Sequence, residues 1–143
     1  MVKTVGTLGS FTLGLFGGAM LFIALAIIPQ WNSLDPVTYR VYFQSMGPFI
    51  GTYMVPLMVA AILLSATNIY LNKGNRAQWI VATVFVAAIV PLYGAVHAPV
   101  NDLVLGGTPL SDTELLVLRS KWVVWHWVRT LLGCAAFLVS LQR

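Results

Sequence analysis

Charge is scarce in this chain: Lys, Arg, Asp and Glu supply 8% of its 143 residues, against an apolar share of 59% and a mean hydropathy of +0.86. So few polar groups cannot cover the water-exposed surface of a domain this size, which excludes a soluble globular protein. Cysteine is nearly absent. Cys134 stands alone, so no internal disulfide is available, and it reads as a small packing residue in an apolar segment. No low-complexity tract, charge block, long linker or repeated segment divides the chain, and a single integral membrane domain over residues 1–143 is expected. The net charge of +4 does not mark a nucleic-acid surface, because the basic residues are scattered at the ends of apolar segments instead of gathered on one face.

What is present is four apolar stretches, at about Val5–Ile28, Phe49–Leu71, Gln78–Ala98 and Trp122–Leu141. Each reaches the roughly 20 residues that cross a bilayer as a helix. None alternates with period two, and backbone groups in lipid must be satisfied within the segment, so helices are preferred over a barrel. The fold expected is an all-α transmembrane four-helix bundle. The first stretch, with Lys3 ahead of it and Ala24, Leu25 and Ala26 near its end, has some features of a signal peptide. Its apolar run is longer than a signal core, and a retained span is expected.

Four spans put both termini and the Asn72–Ala77 turn on one side with Lys3, Lys73, Arg76 and Arg143. The other side carries Arg40, Arg119 and Lys121 with all four acids, Asp35, Asp102, Asp112 and Glu114. Counting basic residues alone, both termini are expected in the cytoplasm. The two longer loops then face outward.

Small residues at Gly6, Ser10, Gly14 and Gly18 share one face of the first span, a seam for another span of the chain or for a second copy in a homo-oligomer. Pro29 should kink or end that helix, with Trp31 at headgroup level. Asp35 can cap a short helix opened by Pro36 and running to Met46, its aromatic and polar character suiting an interfacial helix against the bundle mouth. Gly47 and Gly51 open the second span, Pro56 bends it, and Trp79 anchors the start of the third. Before the fourth span, Ser111 and Glu114 fit a capping box that leads an amphipathic segment into Trp122.

The chemistry-bearing residues concentrate at two places. Tyr93, His97 and Asn101 recur every four residues at the end of the third span and would point the same way if the helix continued through Pro99. On the fourth span His126, Arg129, Gly133 and Ser140 form one stripe, with Trp122 a turn above. An arginine two turns inside a span must be paired or serve a site. A structural reading has Arg129 bonding loop carbonyls or Asp102, and each histidine simply hydrogen-bonded near the interface. As a metal site, two histidines need a third ligand, for which only Asp102 is well placed, and no metal is expected.

The residues Ala98, Pro99, Val100 and Asn101 closing the third span, followed after a loop by Lys121, Trp122, His126, Arg129 and Thr130, resemble the anthrone oxygenase-like family of small four-span membrane proteins. The layout matches over essentially the whole chain, while the specific residues are Pro99, Asn101, Trp122, His126, Arg129 and Thr130. Bacterial members of that family mostly have no assigned function, and a bacterial inner membrane is the expected location. The resemblance implies an oxygenase acting on a polyketide anthrone without metal or flavin. The catalytic residues would then be His126, taking a proton, and Arg129, stabilising the developing enolate with Asn101 donating. Tyr93, His97, Trp122 and Trp125 would bind a small aromatic or apolar ligand. Two alternatives stand beside this reading: a redox protein with haem between His97 and His126, and a non-catalytic membrane subunit holding a partner through the glycine seam and the aromatic loop.

Overall fold

The computed structural model describes residues 2–142, so Arg143, counted above for topology, lies outside the described residues. Four long helices account for nearly all of the chain: α1 (residues 2–33), α2 (Pro36–Leu71), α3 (residues 76–105) and α4 (Asp112–Ser140). All four are long and apolar enough to cross a membrane. They run up, down, up and down in a ring, each packed on its two sequence neighbours with α4 closing back on α1.

Two helices carry the same device. In α1 a π-turn at Ile23–Ile27 comes just before Pro29, and in α3 a π-turn at Tyr93–His97 comes just before Pro99. A proline ring collides with the carbonyl four residues back, here Leu25 and Ala95, and both carbonyls lie inside the widened turn. The helices therefore continue through their prolines, where Pro29 had been expected to kink or stop α1. In α3 this keeps Tyr93, His97 and Asn101 on one helix. The same pairing of π-turn and proline thus recurs in α1 and α3, which no repeated residue pattern disclosed.

The segment expected as a separate interfacial helix is instead the first third of α2. Asp35 caps it as expected, accepting from the Val37 and Thr38 N–H groups, with Pro36 in the first turn. The 36-residue helix is about 54 Å long at 1.5 Å per residue, more than the bilayer thickness of about 40–45 Å. Its upper part is held to the bundle because Tyr39 and Phe43 pack around Trp31 and Trp122. Trp31 is accordingly buried, and Trp79 is core as well.

Arginines close the helix ends on the loop side. Arg119 of α4 donates to the Trp31 and Leu34 carbonyls that end α1, with its guanidinium 5.3 Å from the Tyr39 ring. Arg40 of α2 donates to the Val104, Gly106 and Thr108 carbonyls after α3. Carbonyls at a helix end have no partner within the helix, so these cations stabilise both termini. Gly106 stops α3 where a Cβ would lie 2.6 Å from the Asp102 carbonyl oxygen. The capping box forms, but the helix it starts is α4 itself, which runs unbroken into the fourth span.

The small-residue seam is used inside the chain. Gly6 faces Asn68 of α2 and Asn72 just after it, Ser10 donates to the Ser140 carbonyl, and Gly14 receives the Phe137 ring of α4. Gly18 alone is exposed. The closest backbone approach is one residue away, at Gly17, where a Cβ would meet the Gly133 oxygen at 3.1 Å. That contact draws α1 and α4 together beneath the site.

Candidate functional site

The apolar core falls into two clusters. One, on the side of the termini, contains Leu13, Phe16, Trp79, Val86 and Ala136; the other, on the loop side, contains Ile28, Trp31, Tyr39, Phe43 and Val104. Between them lies a layer holding His97, His126, Arg129 and Thr130, all buried. Arg129 is 8% exposed, and both histidines are 1% or less.

The arrangement starts from a backbone carbonyl. Met20, one turn before the first π-turn, presents its oxygen 3.0 Å from His126 Nε2 and 3.5 Å from the Thr130 hydroxyl. A carbonyl only accepts, so Nε2 carries the proton and Nδ1 is left as an acceptor. Arg129 Nη2 donates to that Nδ1 at 3.1 Å. The guanidinium also stands 5.6 Å from the Trp122 ring and 6.0 Å from the Tyr93 ring, within range of cation–π attraction. Among the described residues no carboxylate answers it: Asp102, considered above as its partner and as a metal ligand, is exposed. Among the described residues no group of three His, Cys, Asp or Glu is placed to hold a metal ion.

Trp122 organises the upper half. Its ring stacks on His126 at 4.8 Å between centroids and meets the edge of His97 at 5.2 Å. Its indole N–H donates to Asn101 Oδ1 at 3.0 Å, which fixes the amide and leaves the Asn101 NH₂ as the available donor. His97 lies parallel to Tyr93 on the preceding turn.

These side chains border a cavity of about 90 Å³ that widens into an open cleft. The enclosed part is smaller than the roughly 300–1,000 Å³ of ordinary small-molecule sites, so a ring-sized ligand would extend from it into the open cleft. Tyr93, His97, Asn101, Trp122, His126 and Arg129 all reach it, so six of the seven residues singled out from sequence come together; Trp125 does not. The residues missed are apolar: Phe16, Met20 and Trp31 from α1, and Phe43, Met54 and Met58 from α2. Nothing in their spacing separates them from ordinary core.

Polar atoms left without a protein partner concentrate here. Arg129 Nε, Trp31 Nε1 and both ring nitrogens of His97 are buried and make no hydrogen bond among the described residues, and all three residues line the cavity. Buried polar groups in folded proteins are nearly always paired, so such a cluster around a cavity points to a ligand with complementary polar atoms.

The wall facing the membrane is α2. No residue between Phe43 and Ala61 is buried, although Gly47, Ile50, Met54 and Met58 border the cavity. Val55 and Tyr93, which flank the cleft, are exposed on the outer surface of the bundle. The cleft therefore opens sideways between α2 and α3, and Pro48 and Pro56 each remove a backbone hydrogen bond from α2 over this stretch.

Neither the curated proteins nor the solved structures gave a match to this sequence. From Arg40 in the first turns of α2 to Val139 at the end of α4, a span that takes in every polar residue of the site, the sequence matches the family described as anthrone oxygenase, and the chain belongs to that family.

Proposed function

We propose that the protein binds a flat, largely apolar aromatic ligand in this cavity and oxygenates it with molecular oxygen, without a bound cofactor. The observation that carries the reading is Arg129: a buried guanidinium with no carboxylate partner and an unpaired Nε, set against an aromatic-walled cavity. Such a cation is poised for an oxygen on which negative charge develops.

In an anthrone the ring CH₂ lies between two aryl rings and is conjugated to a ketone, so loss of a proton gives an enolate. Its carbon adds to O₂ as a hydroperoxide, and loss of water leaves a second ketone. The balance is CH₂ + O₂ → C=O + H₂O. Arg129 faces the enolate oxygen, the Asn101 NH₂ donates beside it, and Trp122 and Tyr93 supply flat surfaces. Oxygen and the ligand both partition into lipid, and the cleft between α2 and α3 gives them a path from the bilayer.

A haem bridging His97 and His126 fits these residues poorly. The Trp122 ring lies against both imidazoles, and both nitrogens of His126 are engaged. On orientation, Arg40 and Arg119 serve helix ends, and Lys3, Lys73 and Arg76 gather on the side of the termini. This supports cytoplasmic termini and a site in the outer half of a bacterial inner membrane.

The test is oxygen uptake by purified protein in nanodiscs with unsubstituted anthrone, alongside an absorption spectrum of the same sample before and after dithionite. Uptake above the protein-free rate with one quinone formed per O₂, from a colourless sample, is expected. A band near 400 nm that shifts on reduction and disappears in His97→Ala, or uptake at the protein-free rate, would sink the proposal.

A further inference from the structure

We infer that His97, and not His126, is the base that takes the proton from the ligand, while His126 is a positioning residue that holds Arg129. The inference rests on the oxygenase reading above and assigns the residue that starts the reaction.

His126 has no free lone pair. Its Nε2–H is committed to the Met20 carbonyl at 3.0 Å, and its Nδ1 accepts from Arg129 Nη2 at 3.1 Å. Protonating Nδ1 would break the bond to Arg129 and leave that donor unpaired, so His126 is a poor place to put a proton. Its two bonds instead tie Arg129 through the imidazole to the backbone of α1.

His97 is in the opposite condition. It is wholly buried, neither ring nitrogen makes a hydrogen bond among the described residues, and the ring forms part of the cavity wall. A neutral imidazole always offers one acceptor nitrogen, and here nothing in the chain claims it. The π-turn that carries His97 is itself a feature found at functional sites. Tyr93, parallel to the ring, and Trp122, at 73° to it, fix its plane, and the same two residues flank Arg129. A ligand lying against Trp122 and Tyr93 is thereby placed within range of a base on α3 and a cation on α4.

The step balances. The His97 lone pair takes one proton of the CH₂, and the electron pair of that C–H bond moves to the ketone oxygen, opposite Arg129. After O₂ adds to the carbon, the imidazolium returns its proton to the terminal oxygen. The remaining C–H proton and the O–O bond are then lost as water.

Removing His97 leaves no protein group unpaired, so its variants are expected to fold. The experiment follows exchange of the CH₂ hydrogens of unsubstituted anthrone with D₂O under anaerobic conditions, which isolates proton removal from oxygenation. Wild-type protein should accelerate exchange. His97→Ala and His97→Asn should lower that acceleration by about 100-fold or more, the usual worth of a general base. Anthrone binding, read by tryptophan quenching, should weaken far less than exchange does. Imidazole added to His97→Ala should restore part of the exchange, which a packing role would not allow.

Exchange by His97→Ala within threefold of wild type would overturn the assignment, as would wild-type protein that binds anthrone without exchanging it. Wild-type protein that exchanges anthrone but consumes no oxygen in air would leave His97 as the base and remove the oxygenase reading. Protein that neither binds nor exchanges anthrone would overturn both.

Discussion

Replacing Arg129 with methionine separates a site role from a structural one, because the two give different changes in stability and activity. The guanidinium is 8% exposed, has no carboxylate partner, and makes a single hydrogen bond, 3.1 Å to His126 Nδ1. Methionine of similar length removes the desolvated charge, and exchanging buried charges for packed apolar groups is neutral or stabilising by roughly 1–4 kcal/mol. Against that stand the unpaired acceptor left on His126, about 1–3 kcal/mol, and two lost cation–π contacts of about 0.5–2 kcal/mol each. The opposing ranges overlap, and the net change in stability should stay below about 3 kcal/mol in either direction. Turnover of anthrone should nonetheless fall about 10²–10³-fold, the worth of one donor at a developing oxyanion. Thermal unfolding in a single detergent and initial rates of oxygen uptake measure the two quantities. An Arg129→Met protein that unfolds far below wild type, or one that retains its rate, would refute the reasoning.

Three further outcomes follow from individual contacts. Gly17→Val should push α1 from α4, since even a Cβ at Gly17 meets the Gly133 oxygen at 3.1 Å; overpacking of this kind costs about 1–3 kcal/mol, read as a lowered melting temperature. Gly51→Phe should leave the melting temperature unchanged, because nothing lies within 4 Å of its Cβ, yet weaken anthrone binding by about tenfold as the ring narrows the side cleft. Gly18→Phe, equally open but away from the cavity, serves as its control. At Asp35 the Thr38 side chain, and then the Thr38 and Val37 N–H groups, hold the carboxyl below the ordinary aspartate range. The stabilisation it gives α2 is therefore complete above the ordinary value and lost as pH falls through the lowered one. Asp35→Ala should flatten the acid limb of a stability–pH profile, and an unchanged limb would contradict the cap.

Much of the polar site was legible because cations and imidazoles in an apolar span have few uses. Arg129 and His126 stood out for that reason, and the four-residue spacing of Tyr93, His97 and Asn101 put them on one face. Trp125 was misread because three tryptophans within six residues of a helix cannot all face inward, and composition alone does not say which do. The apolar lining escaped notice altogether. Met54 and Met58 look like any residues of a membrane span, and only the standing-off of α2 turns them into a cavity wall.

The sequence by itself determined that the chain lies in a membrane, that it spans it four times as helices, and which residues cap two helical starts. These are properties of hydropathy, length and caps, which act within a few residues. Tertiary structure decided what the polar residues do. The tautomer of His126 is set by a carbonyl 106 residues away on α1. The capping roles of Arg40 and Arg119 depend on which helix ends next to them. Whether His97 is paired or free depends on what α1, α2 and α4 place against α3. Hydrogen bonds reach about 3 Å and are blind to sequence separation, so partners on different helices become readable only once the bundle has assembled.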